Sequence, residues 1–243
     1  FQPGTQYRYS DYGWIVASAA IEAAAGQPFL TYMHDQVFGP LGMNGTVPDP
    51  GPDPAEVEGE DFPLFIMIRE LIYDPGAIRD PAATSTKNPP GDNVTPYATR
   101  FRSDPKYGVH MTRITDYSCY AGAGVFLSTP SDLVRFAMAL NSGKLLKPAT
   151  VELLQTSQQL ASGQPTGYGL GWQRKTITLA GKPTTAIGHD GDSLGGTVAS
   201  LITFPEYGIV VAVTSNISHA GTFTLATKIA EAFAGQPPTP ARK

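Results

Sequence analysis

The stretch TVASLITFPEYGIVVAVTS, Thr197–Ser215, decides the fold class. Two runs rich in β-branched residues, Thr197 to Phe204 and Ile209 to Ser215, flank the turn cluster Pro205-Glu206-Tyr207-Gly208, which predicts an antiparallel hairpin. Upstream, Tyr168 to Thr178 and Thr184 to Gly188 read as two more strands, separated by Gly181-Lys182-Pro183. Downstream, Thr222 to Ala234 reads as an amphipathic helix with Phe223, Ala226, Ile229, Ala230 and Phe233 on one face. The tail from Gln236 to Lys243 is Pro-rich and reads as loose.

The chain before this sheet is mainly helical. Ser10 and Asp11 are good helix-starting residues, and Ile15, Val16, Ala19, Ala20, Ala23 and Ala24 follow at helical spacing until Gly26 and Pro28. A second helix is predicted over Phe29 to Phe38, with Leu30, Met33 and Val37 on one face and Pro40-Leu41-Gly42-Met43 as its close. Residues 48–62 are acidic and broken by Pro48, Pro50, Pro52 and Pro54, which reads as an exposed loop. Phe62 to Tyr73 is apolar enough for a short helix or lid, and residues 74–105 are loop-rich. Thr129 then caps a helix with Pro130 at its first position and Asp132 in its first turn, and Pro148 to Gln159 forms another. Helices first, an antiparallel sheet next and a covering helix last make an α+β pattern. One domain is expected: residues 1–150 mainly helical with a loop-rich insert at 48–116, and residues 151–243 strands with a closing helix.

Composition narrows the function. Of 243 residues, 41% are hydrophobic and 16% charged, which is the balance of a folded domain and not of a disordered chain. The net charge of −4, with no Lys/Arg-rich run, argues against a nucleic-acid partner. The single cysteine, Cys119, cannot form an internal disulfide, and no apolar run approaches a membrane span. His34, His110, His189 and His219 show no metal-ligand spacing, so no metal or other cofactor is expected.

Several clusters bear chemistry. Gly191-Asp192-Ser193-Leu194-Gly195 matches the Gly-x-Ser-x-Gly esterase elbow, but that motif needs a helix after the serine, and Thr197 onward is strand-like. Ser103-Asp104-Pro105-Lys106 is the only Ser-x-x-Lys, and Pro105 makes the shared helix that the pair requires unfavourable. Tyr9-Ser10-Asp11 sits where the first helix begins, where the helix dipole favours phenolate. His189-Asp190-Gly191 lies between strands. Gly191 lets a substrate approach the strand edge, and the backbone N–H of Asp192 is placed to hold an oxyanion.

Together these segments resemble the penicillin-recognising serine hydrolases: class C β-lactamases, DD-peptidases, related esterases and serine β-lactamase-like proteins. The resemblance rests on Phe1-Gln2-Pro3-Gly4-Thr5, Tyr9-Ser10-Asp11-Tyr12-Gly13, Pro40-Leu41-Gly42-Met43, Ala121-Gly122-Ala123-Gly124, Ser128-Thr129-Pro130-Ser131-Asp132-Leu133 and Gly188-His189-Asp190-Gly191, in that order. It implies the β-lactamase/transpeptidase-like fold and acyl transfer to water from an ester, amide or lactam through a serine acyl-enzyme. Tyr9 and Asp11 match the family's Tyr-x-Asn, with Asp11 in place of Asn. His189 and Gly191 match its His-x-Gly strand. By this resemblance Tyr9 and His189 are catalytic, and Asp11, Gly191 and Asp192 bind substrate. The family's nucleophilic Ser-x-x-Lys precedes the Tyr motif, and only eight residues precede Tyr9, so serine and lysine are expected before Phe1. The chain would then be the C-terminal portion of such a domain, inactive alone, acting on a small molecule or peptide in a periplasmic or extracellular setting. The alternatives are a non-catalytic peptide-binding or structural member of the same fold, and an esterase using Ser193.

Overall fold

A computed structural model describes residues 1–49, 97–99, 109–111, 118–124, 126–193, 197–217 and 219–235. Most of the acidic segment 48–62, the stretch from Phe62 to Tyr73, and Ser103 with Lys106 lie outside the described residues. No helix among the described residues is long and apolar enough to cross a membrane.

The frame is a four-stranded antiparallel meander: β5 (Gln173–Leu179), β6 (Lys182–Asp192), β7 (Val198–Phe204) and β8 (Ile209–Ser215), in that order across the sheet. The hairpin predicted from Thr197–Ser215 is present, with Phe204 opposite Ile209 and the turn ending at Gly208 in the left-handed region. The preceding turn differs from expectation. Leu179 pairs with Lys182, so the turn is Ala180-Gly181, both at positive φ (48° and 75°). Two such residues define the hairpin turn whose twist matches the strands. Pro183 therefore lies inside β6. It sits before β7 joins at Ile187, so its missing N–H affects one ladder at most.

β5 also starts later than the pattern at Tyr168 indicates. Gly167 and Gly171 take positive φ (75° and 91°), and a Cβ on Gly169 would lie 2.1 Å from the Leu154 carbonyl oxygen. These glycines turn the backbone off the sheet, and Tyr168 keeps only an isolated bridge to Gln173. In consequence β6 outruns β5. Gln173 pairs with Gly188, and residues His189 to Asp192 are flanked by β7 alone among the described strands.

The closing helix α6 (Thr222–Ala234) covers one sheet face. Ala226 and Ala230 are fully buried against Leu179, Ala186, Ile202, Phe204 and Val211. Small residues at four-residue spacing let the helix backbone come close to the sheet, which is why the buried stripe is narrower than the sequence indicates. Ile229 and Phe233, assigned to that face, are exposed.

The helical part consists of α1 (Asp11–Ala25), α2 (Phe29–Met33), a π turn over His34–Phe38, α3 (Gly39–Leu41), α4 (Pro130–Asn141) and α5 (Pro148–Gln155). Ser10 caps α1 by accepting the Gly13 N–H at 3.2 Å, and Gly26 ends it at φ 66°. The single predicted helix over Phe29 to Phe38 instead widens at His34. Pro40 has no N–H to donate to the preceding turn, and its ring crowds the carbonyl four residues back, a common cause of local unwinding. In α4, Thr129 caps as expected, accepting the Asp132 N–H at 3.2 Å. The Asp132 side chain does more than complement the dipole. It is buried and accepts the Gly45 N–H at 2.8 Å and the Thr46 hydroxyl at 3.2 Å, while Arg135 pairs with its other oxygen. The Ser128–Leu133 segment is thus tied directly to the residues just after Pro40-Leu41-Gly42-Met43.

α1 buries none of its residues fully. Trp14, Ile15, Ala17 and Ser18 are half-buried, and the 3-10 turn Ser118–Ala123 packs on this side. Gly122 is required there, since a Cβ would meet the Ser18 hydroxyl at 2.1 Å. Val16, Ala19 and Ala20, predicted to face a core, are exposed. Short pairings complete the architecture: β1 (Val47–Pro48) with β4 (Phe126–Leu127), and β2 (Tyr97–Thr99) with β3 (Val109–Met111).

Candidate active site

The edge of β6 that no other described strand pairs is where the sequence-predicted residues gather. Strand alternation sends His189 to the face opposite α6 and Asp190 toward it. Tyr9, two residues before α1, stands with its ring 5.7 Å from the His189 ring. Two tyrosines absent from the sequence prediction complete the cluster. Tyr168 lies edge-on to Tyr9 at 6.0 Å and to His189 at 5.7 Å, and Tyr7 stacks on Tyr168 at 5.4 Å. The Gly167-Tyr168-Gly169 context is the signal that could have found Tyr168. An aromatic flanked by glycines is poorly suited to a strand start and well suited to a bend.

Hydrogen bonds fix the His189 ring. Nδ1 lies 2.7 Å from the Asp190 carbonyl oxygen, and Nε2 lies 3.0 Å from the Tyr168 hydroxyl. A carbonyl only accepts, so Nδ1 carries the proton. In neutral imidazole Nε2 is then the acceptor, and Tyr168 donates to it.

The phenols are held protonated. Burial raises the Tyr9 pKa, a hydrogen bond to the Asp11 carboxylate and its charge raise it further, and the result is about 12. This corrects the expectation that the α1 dipole favours phenolate, because desolvation and Asp11 outweigh it. Tyr168 is raised as well, chiefly by burial and then by neighbouring Tyr9 and Tyr7, against a lowering contribution from Trp14. At neutral pH the corner presents neutral hydroxyls, able to pass a proton without holding a charge.

On the other side of β6, Asp190 accepts the Ser200 hydroxyl at 2.7 Å and pairs with Lys175 at 3.1 Å. Ser200 in turn lies 2.6 Å from the hydroxyl of Thr222, the first residue of α6. At the strand's end the Asp192 carboxylate pairs with His219 at 3.0 Å, a histidine held at φ 59°. Among the described residues, a Cβ on Gly191 would find nothing nearer than the Ala199 oxygen at 4.0 Å, so they leave the space beside it open.

Ser193 is placed differently from an elbow serine. Its N–H donates to the Thr197 carbonyl at 2.9 Å and its hydroxyl lies 2.6 Å from the Thr197 hydroxyl, in the β6–β7 hairpin. A strand and not a helix follows, so the strained strand–turn–helix context is missing.

Comparison with known proteins agrees with this architecture. The family model described as Beta-lactamase matches residues 1–58 and 67–236. "Serine beta-lactamase-like protein LACTB, mitochondrial" of Mus musculus is 24% identical over 267 residues, covering 96% of this chain and 41% of the relative. "Penicillin-binding protein 4*" of Bacillus subtilis (strain 168) is 25% identical over 192 residues, covering 79% of this chain and 36% of the relative. Among solved structures, a D-stereospecific amidohydrolase from Streptomyces sp. superposes with a TM-score of 0.65 at 23% identity, covering 98% of this chain and 57% of that one. The chain therefore spans less than half the length of these curated relatives. Matched along most of its own length and folded alike, it belongs to the beta-lactamase family.

Proposed function

We propose that this chain carries the proton-relay and oxyanion side of a serine hydrolase site, within a longer protein whose Ser-x-x-Lys lies N-terminal to Phe1. The observation that supports this reading most is the approach of Tyr9 to His189, 5.7 Å between rings, beside the unpaired edge of β6. In this reaction the serine hydroxyl attacks the carbonyl carbon of an ester, amide or lactam, and its proton passes to the lysine amine. The backbone N–H of Asp192 is one donor to the resulting oxyanion. The tetrahedral intermediate collapses, and the leaving group departs with a proton handed from lysine through the Tyr9 hydroxyl. Water then repeats the sequence on the acyl-enzyme and frees the serine. A phenol held neutral suits this relay better than a standing phenolate. His189 orients the substrate's far side, and Gly191 leaves room for the acyl group against the strand. Asp11 keeps Tyr9 protonated and disfavours anionic substrates.

In the full-length protein, Tyr9→Phe is expected to lower kcat on a p-nitrophenyl ester by ~10²–10⁴. Undiminished turnover would remove Tyr9 from the mechanism. Ser193→Ala is expected to leave the rate within about twofold, since its hydroxyl is spent within a hairpin. Abolished activity in that variant would favour the esterase alternative.

A further inference from the structure

We propose that Tyr168 is a positioning residue that couples the β6 edge to the helical side of the site by holding His189. The inference rests on the acyl-transfer reading, and its observations are independent of that reading.

The Asp190 carbonyl can only accept, so Nδ1 of His189 donates to it at 2.7 Å, and Nε2 faces the Tyr168 hydroxyl at 3.0 Å. The Tyr168 ring stacks on Tyr7 at 5.4 Å and meets Tyr9 edge-on at 6.0 Å, just before α1 begins. Asp190 belongs to the strand that carries Gly191 and Asp192. Tyr168 itself is delivered by the glycine bend before β5. Through its hydroxyl and its ring, Tyr168 therefore ties together the three segments that must stay in register for Tyr9 and the Asp192 N–H to act on one carbonyl. With Nε2 engaged by Tyr168 and Nδ1 by the Asp190 carbonyl, both ring nitrogens of His189 are occupied, so it contributes as an oriented ring. A misplacement of about 1 Å between such groups costs on the order of 10²-fold in rate.

Tyr168→Phe keeps the ring stacked on Tyr7 and removes only the hydroxyl. In the full-length protein labelled with ¹⁵N-histidine, the His189 Nε2 resonance, assigned by its loss in His189→Gln, is expected to move downfield on this substitution as its hydrogen bond disappears. On a p-nitrophenyl ester, kcat is expected to fall about 10- to 100-fold with KM changed less than about threefold. An Nε2 resonance that does not move overturns the contact. A moved resonance with unchanged kcat overturns the positioning role. If Tyr168→Phe does not fold, the wild-type Nε2 resonance alone decides: a shift typical of a free, unbonded nitrogen overturns the proposal. Full activity in Tyr9→Phe would instead sink the acyl-transfer reading, and the histidine spectrum would still decide whether Tyr168 holds His189.

Discussion

A Cβ built on Gly188 would lie 2.0 Å from the carbonyl oxygen of Leu201 on the neighbouring strand. Gly191, three residues on in the same strand, has open space among the described residues instead. The two glycines of one motif thus serve different ends. Gly188→Ala is expected to destabilise by ~1–3 kcal/mol through overpacking against backbone that cannot yield. Gly191→Ala is expected to stay within about 0.5 kcal/mol of wild type while lowering kcat/KM on an ester substrate at least tenfold. Urea melts and ester kinetics on the full-length protein check both. Equal destabilisation by the two substitutions would contradict the geometry.

Alkaline pH should weaken the fold through the tyrosine cluster. A phenol whose folded pKa lies above its unfolded value contributes stability that is complete below the unfolded pKa and lost as pH rises through the folded one. For Tyr9 that window runs from about pH 10 to about 12. Tyr7 and Tyr168 shift in the same direction and add to it. Tyr9→Phe should therefore lose less stability than wild type across this window. Asp11→Asn should bring the Tyr9 titration back toward 10, since the aspartate supplies both a hydrogen bond and a charge that raise it. Ultraviolet difference titration of the phenols measures both effects, and a Tyr9 titration unmoved by Asp11→Asn would refute the assigned cause.

The hydroxyl of Ser200, 1% exposed, bridges Asp190 and Thr222. Removing it leaves a buried hydroxyl and a carboxylate each short of a partner, at a cost of ~1–3 kcal/mol. A double-mutant cycle of Ser200→Ala with Thr222→Val should show a coupling of ~0.5–3 kcal/mol. Strict additivity in chemical denaturation would mean that the bridge is not formed in solution.

Tyr12, at 74% exposed, Val16 and Ile21 leave apolar surface on α1 uncovered. The 243-residue chain expressed by itself is expected to bind a hydrophobic dye and to elute larger than a monomer. Val16→Lys on the same face should shift elution toward the monomer. A monodisperse, dye-silent monomer in the parent sequence would overturn the expectation.

The sequence made the sheet and the closing helix legible because their signals are local. β-branched runs around Pro205 to Gly208, and Thr222 to Ala234 at helical spacing, need no distant partner to be read. The turn at Ala180-Gly181 was misplaced because a non-glycine at positive φ carries no strong local mark, whereas Pro183 does. Tyr9 and His189 are legible through motif resemblance, and the fold sets their rings 5.7 Å apart. Tyr168 is not legible for a physical reason. Its importance comes from a bend and a long-range hydrogen bond, and neither changes periodicity. The protonation of Tyr9 was read with the wrong sign because the helix dipole is visible in sequence while desolvation is not.

The early end of β5 has a wider consequence. Were Gly169-Leu170-Gly171 to straighten into the sheet, the chain's own backbone would occupy the rim beside His189 to Asp192, and the acyl group of the proposed reaction would find the seat taken. Access at this rim would thus be set by three residues outside the Tyr9–His189 pair: a vacancy kept by a swerve in the chain. Changes of length or glycine content there should trade openness against sheet order before any reacting group is altered.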